Sequence, residues 1–369
     1  MLIFRYLVKE TLKSQAAVFL LLMAIFVTQK FVKVLADASD GEIPAGLVLG
    51  FLALSTPVLA SLILPLSLFL GIMLAHGRLY VDSEMSVMRA CGISEWYITR
   101  VMLVLAFIMA IITAAFSLWL TPLSVESRYQ LEEKVGAKSG LTSLIPGRFQ
   151  QTANQQAVIF VHNVNAGQEP LQKVFLAQRD IESDVENVRI VYASSGGVNQ
   201  EADGSEKLIL KQGNQYEGKV GQQDYRVIEF DEYQIQIAEQ KTEKKRRKLS
   251  AYKTVDLIHD PSIDAIAELH WRIAIPLSLP FLVLIAVPLS AANPRQGRFG
   301  KMFPALMLYL GYFLMLMAGR KALEAGTIPA QLGLWWVHAI LLSIGWLLLV
   351  KGRSIGIKLR AGIKGSINA

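Results

Sequence analysis

Apolar positions run in blocks too long for the elements of a soluble core. Six stretches stand out: residues 14–36, 45–75, 101–121, 273–292, 302–319 and 328–350. Ser14 to Gln29, Val101 to Thr121 and Ile273 to Ala292 carry no charge, and neither does any residue of 45–75. About twenty apolar residues, at about 1.5 Å of rise each, cross about 30 Å of hydrocarbon. The pattern therefore predicts six membrane-spanning helices, three before and three after a polar middle. In that middle, 122–265, the period shortens. Gln156–Val164, Gln172–Leu176, Val188–Ala193, Lys207–Leu210 and Tyr225–Ala238 are short and rich in β-branched and aromatic residues, and Tyr233–Ile237 alternates. Gly167–Pro170, Ala202–Ser205, Gly213–Gly218 and Gly221–Asp224 read as the turns between them. Such spacing predicts an all-β sandwich or barrel. Glu126–Lys138 reads as a helix that extends the third span. The chain divides accordingly into 1–121, 122–265 and 266–369.

Charge sharpens this division. Of the 369 residues, 53% are hydrophobic and only 18% charged, where a soluble protein carries nearer a quarter. The middle block holds 18 Lys/Arg against 21 Asp/Glu; the rest holds 19 against 9. The basic pI of 9.3 thus comes from the apolar frame and points to a membrane surface rather than nucleic acid. The basic start at Arg5, Lys9 and Lys13 also suits a cleaved signal peptide, but Lys30 and Lys33 come before any small-residue cleavage site. The short flanks fix the orientation. One side collects Arg5, Lys9 and Lys13, then Arg78, Arg89 and Arg100, then Arg295, Arg298 and Lys301, and finally the tail from Lys351 to Lys364. That side is read as cytoplasmic and holds both termini, which leaves 122–265 extracytoplasmic. Pro57 and Pro65 in the second span and Pro276, Pro280 and Pro288 in the fourth favour kinks. Membrane helices tolerate proline routinely, so flexing as a gate is one of two readings.

Candidate chemistry is sparse. Cys91 is the sole cysteine, which excludes an intrachain disulfide and a cysteine-based metal cluster. There is no HExxH, GxSxG or GxGxxG, and the five histidines lack metal-ligand spacing. His338, alone in the last span, reads as a helix-packing residue. Gly213-Asn-Gln-Tyr-Glu-Gly218-Lys219 starts like a phosphate-binding loop, but Val220 stands where Ser or Thr is required. It reads as a hairpin turn. Lys241–Lys248 reads as a solvated loop near the membrane. No Asp or Glu lies deep in a span, so the proton-relay pattern of many pumps is missing. Uphill transport would need energy from another chain.

Two groups of residues remain. Asp82, Glu84, Met85, Val87, Met88, Arg89 and Ala90 follow the second span as a short amphipathic helix. It suits the bilayer surface. Lys30 and Lys33 share a helix face near the outer end of span one, and Arg320 and Lys321 lie at the outer end of span five. These cations run against the positive-inside trend. Snorkelling accounts for any one of them; their common depth favours a shared anionic ligand, with Phe26 and Val27 below to meet apolar chains.

Three stretches carry a family resemblance: His76-Gly-Arg-Leu-Tyr-Val-Asp-Ser-Glu-Met-Ser-Val-Met-Arg-Ala-Cys-Gly92, Ala267-Glu-Leu-His-Trp-Arg272, and Val287-Pro-Leu-Ser-Ala-Ala-Asn-Pro-Arg-Gln-Gly-Arg298. With the three-plus-three layout they resemble the LptF/LptG lipopolysaccharide export permease family, its F type more than its G type. The resemblance implies an α-helical integral membrane protein of the bacterial inner membrane. Six transmembrane helices would carry a periplasmic, jelly-roll-like β domain between helices 3 and 4. It also implies a transport subunit and not an enzyme. ATP and Mg would be on a separate dimeric ATPase, LptB, with no cofactor in this chain. A paralogous subunit, LptG, and a bridge protein, LptC, would complete the assembly. Lipid A phosphates would be the ligand of Lys30, Lys33, Arg320 and Lys321, and the 78–92 segment would be the coupling element, Glu84 its acidic contact. Two other readings compete. A membrane-anchored scaffold or sensor explains the β domain but not five further spans. A lipoprotein-release-type permease has four spans, with its large domain after the first; here it follows the third.

Overall fold

The computed structural model describes residues 2–39, 43–138, 146–151, 157–164, 171–180, 187–200, 206–219, 225–237, 247–291 and 301–351. Contacts divide the chain into two units. One takes Met1–Leu35, Leu47–Tyr129 and Arg247–Ala369; the other takes Ala36–Gly46 and Gln130–Arg246.

The helices are α1 (Leu2–Ser39), α2 (Val48–Val81), α3 (Glu84–Ala90), α4 (Glu95–Ala115), α5 (Thr121–Lys138), α6 (Thr254–His259), α7 (Ile263–Leu289), α8 (Met302–Glu324) and α9 (Trp335–Lys351), and all fall in the first unit except the end of α1 from Ala36 and the end of α5 from Gln130. Among the described residues, five helical stretches are long and apolar enough to cross a membrane: Leu2–Ser39, Ala45–Val81, Glu95–Lys134, Ile263–Leu289 and Met302–Glu324. Trp335–Val350 is apolar but shorter. The stretch Glu95–Lys138 is one continuous helical path, widened to a π turn at Phe116–Leu120, so the helical extension expected over Glu126–Lys138 is present.

α7 is the hub, packing on α2, α4, α8 and α9. Its Leu279, Leu282, Val283 and Ile285 are buried with Phe69 and Ile72 of α2 and Met102 and Leu105 of α4 in one core. Hydroxyls inside the helices bond back to their own backbone: Ser67 Oγ donates to Leu64 O at 2.9 Å and Ser278 Oγ to Ile275 O at 2.6 Å. A buried polar group is thereby satisfied without a partner helix. All five span prolines lie inside helices that continue past them. α1 crosses α2 closely, because a Cβ on Gly71 would lie 2.8 Å from Gln15 Cα. Between α6 and α7, Asp260 Oδ1 accepts from Ser262 N–H at 2.9 Å. That bond holds its carboxyl below the ordinary aspartate range.

The second unit is an antiparallel meander of β1 (Phe149–Gln151), β2 (Ala157–Val164), β3 (Leu171–Asp180), β4 (Asn187–Gln200), β5 (Glu206–Lys219) and β6 (Tyr225–Ile237), in that order. Alternate residues Ile159 and Val161, Val174 and Leu176, Val191 and Ala193, and Leu208 and Leu210 form its buried face, as a period of two requires. Three differences from the sequence reading stand out. Among the described strands each pairs with its chain neighbour, so the order is a meander and carries no jelly-roll crossover. β1 was too short to signal itself. Gly213–Gly218 is not a turn: it lies inside β5, with Gly213 opposite both Ala193 and Phe230. Glycine is there because a Cβ would lie 2.1 Å from the backbone oxygen of Tyr192 and 2.6 Å from Phe230 Cζ. The phosphate-loop lookalike is thus strand. The turns expected at Gly167–Pro170, Ala202–Ser205 and Gly221–Asp224 lie outside the described residues, as do 241–246 of the basic run, Arg295 and Arg298, and the tail beyond Lys351.

Candidate functional site

The segment between α2 and α4 is built by local rules. α2 ends at Val81 and is capped by Asp82, whose N–H donates to Arg78 O at 2.9 Å, and Ser83 adopts a left-handed φ of 61° that turns the chain into α3. Gly92, at φ 88°, ends the excursion, a conformation that suits glycine. Seven residues of helix are unstable alone, so α3 needs anchors. Met85 supplies one, fully buried in the core of the bundle, and Met88 packs against the same core. Glu84 is half-buried and its Oε2 accepts from Tyr6 Oη at 2.6 Å. Arg89 donates to Tyr80 Oη at 2.7 Å, stacks over that ring and pairs with Glu95. The opposite side carries Asp82, Ser86, Val87 and Ala90, all exposed, Val87 to 61%. Of the expected coupling residues, then, Met85 faces inward and positions the helix. Asp82 lies on the accessible side beside Val87 and Ala90. Cys91 is exposed and free at the same end.

The expected lipid-facing cations fall in two places. Lys30 is half-buried and Lys33 exposed on α1, with Phe26 exposed about a turn below. α1 is the least buried of the long apolar helices. Arg320 and Lys321 share one acid, Glu324: Nε of Arg320 lies 2.8 Å from Oε1 and Nζ of Lys321 3.0 Å from Oε2. Arg320 also stacks over Trp271 and approaches Glu268 Oε2 at 2.9 Å, an ion pair by distance rather than an aligned hydrogen bond. The principal neighbours of α8 are α7, α9 and α2, not α1. The described contacts therefore do not bring Arg320 and Lys321 to Lys30 and Lys33. The sequence reading missed Glu324 as their neighbour, though its i+3 and i+4 spacing signalled it. It also gave no role to Glu268 and Arg272, whose i,i+4 charges open a span. His338 is a packing histidine as read: buried, stacked on Phe281, with Nδ1 3.0 Å from Tyr312 Oη. Among the described residues no three His, Cys, Asp or Glu side chains gather as a metal site needs.

Several apolar helices long enough to span a bilayer, interrupted by one antiparallel sheet, define a multi-span integral membrane protein whose short helix α3 presents a small, accessible face. The family can be given more closely. The model of the family "Lipopolysaccharide export system permease LptF/LptG" matches residues 5–351. The chain belongs to the LptF/LptG family. It is 38% identical over 344 residues to the lipopolysaccharide export system permease protein LptF of Escherichia coli strain K12, covering 93% of each chain. The LptF protein of Shigella flexneri matches to the same extent.

Proposed function

We propose that this chain is a permease subunit of a lipopolysaccharide exporter in the bacterial inner membrane, driven by ATP hydrolysis on a separate cytoplasmic ATPase of the LptB kind. The observation that carries the reading is the 38% identity with LptF along 93% of both chains. Six spans with both termini cytoplasmic, and a periplasmic β domain, fit the apolar blocks and the distribution of Lys and Arg. A paralogous subunit of the LptG kind would cover the exposed apolar faces of α1 and α8. A bridge protein of the LptC kind would take the lipid from the β domain.

In this reading α3 enters a groove of the ATPase, with Glu84 and Asp82 as acidic contacts, Val87 and Ala90 as small knobs, and Arg89 and Met88 at its flanks. Lys30 and Lys33 receive lipid A phosphates, to which ammonium groups bind as point charges. Phe26 meets the acyl chains. Arg320 and Lys321, which pair with Glu324, make a second anionic contact apart from that of Lys30 and Lys33. The test is purification of the tagged full-length chain from its own host in mild detergent. The expected result is co-purification of a six-span paralogue and an ATPase, with ATP hydrolysis that lipopolysaccharide stimulates. A chain purified without an ATPase under conditions that preserve other transporters would favour an envelope scaffold.

A further inference from the structure

Arg272 is 2% exposed and lies near the start of α7. A guanidinium so placed is costly unless its donors are met. Nε donates to Glu268 Oε1 at 2.9 Å. One terminal nitrogen donates to Tyr252 O at 3.0 Å and Thr254 Oγ1 at 2.9 Å; the other donates to Leu249 O at 3.1 Å and Ser250 O at 3.2 Å. These bonds equal in number the N–H groups of the side chain. All but the first go to 249–254, the stretch by which the chain returns to the helices after β6.

The same residue reaches the third apolar stretch. Ser117 Oγ donates to the backbone oxygen of Arg272 at 2.9 Å, and Thr254 Oγ1 donates to Leu118 O. Ser117 and Leu118 lie in the π turn Phe116–Leu120, a form that occurs mostly as isolated turns, frequently at functional sites. Thr254 therefore accepts from Arg272 and donates to the π turn, which closes a circuit through α7, the returning segment and the α4–α5 helix. Glu268 extends it to α8, since its second oxygen lies against Arg320. Buried ion pairs are weak evidence for stability; this one is directional and joins parts that are distant in sequence.

We infer that Arg272 is a positioning residue for transport, holding segment 249–254, the head of α7 and the π turn as one rigid joint through which their movements are coupled. The inference rests on the transport reading above. The test uses the full-length chain, purified with its paralogous subunit and ATPase and reconstituted in vesicles loaded with lipopolysaccharide. Lipid released and ATP hydrolysed are counted together. Thr254→Val keeps the side-chain shape and removes both hydroxyl bonds. It is expected to lower the lipid moved per ATP at least about fivefold, the population shift that the loss of a single hydrogen bond already gives. Complex yield and ATPase rate stay near wild type, and Thr254→Ser restores the ratio. Arg272→Lys shows the same uncoupling in whatever fraction assembles. An unchanged ratio in Thr254→Val, or a loss of yield alone, would overturn the joint and leave Arg272 a folding residue. A wild-type complex that hydrolyses ATP and moves no lipid would overturn the transport reading first, and the joint with it.

Discussion

Replacing Met85 by alanine separates anchoring from contact at α3. The side chain is fully buried in the bundle core while its neighbour Val87 is 61% exposed. Truncating a buried methionine costs about 2–5 kcal/mol, through lost transfer energy and the cavity left behind. α3 has only seven residues and little stability of its own. The cost therefore falls on the docking of α3 rather than on the whole bundle. At about 1.4 kcal/mol per tenfold, amide protection across 84–91 should fall at least about tenfold in Met85→Ala. Hydrogen exchange read by mass spectrometry in detergent or nanodiscs measures this directly. Val87→Ala should leave protection unchanged and weaken ATPase capture. If protection across α3 survives Met85→Ala, or if Val87→Ala and Met85→Ala lower it equally, the division into an anchored and an accessible side is wrong.

Three further outcomes are expected. A membrane-impermeant maleimide should leave Cys91, exposed beside α3, unlabelled in intact cells and label it after permeabilisation; labelling from outside would invert the topology. Glu84→Ala should reduce co-purification of the ATPase, whereas Tyr6→Phe, which removes only the 2.6 Å bond to Glu84, should cost about 1 kcal/mol of local stability and leave assembly intact; the reverse order would make Glu84 a structural residue. Gly213→Val forces β5 away from Phe230 and Tyr192 and should destabilise the sheet by about 1–3 kcal/mol, seen as faster proteolysis within 146–237, while wild-type resistance would disprove the close packing.

The helices were legible because hydrophobic length is a one-dimensional signal that bilayer thickness sets directly. The strands were legible where β-branched residues cluster, as in Ala157–Val164 and Tyr225–Ile237. The pattern misleads at Gly213–Gly218, which reads as a turn and is strand. Gly196 and Gly213 lie inside long strands because neighbouring strands leave no room for a Cβ, and that crowding is visible only once the partners are known. At the site, the amphipathic pattern of 82–90 announced a short helix but not which side faces inward. Pattern alone made Met85 and Val87 equivalent apolar knobs; the packing of α3 on the bundle separates them. Likewise Arg320 reads in the sequence as a cation for an anionic ligand, and only the fold shows Glu268, 52 positions away in sequence, within 2.9 Å of it.

The central claim is that this chain passes lipopolysaccharide outward using ATP hydrolysed elsewhere, with Lys30 and Lys33 at the lipid phosphates. A photo-crosslinking residue placed at Phe26, below the two lysines, reads it most directly in living cells. The account predicts a crosslink to lipopolysaccharide that Lys30→Asp/Lys33→Asp diminishes at least about tenfold, as the loss and reversal of two phosphate contacts implies, with the chain still inserted and still bound to its ATPase. A crosslink of equal intensity in the double variant, or no lipopolysaccharide crosslink at Phe26 in the wild type, would contradict it.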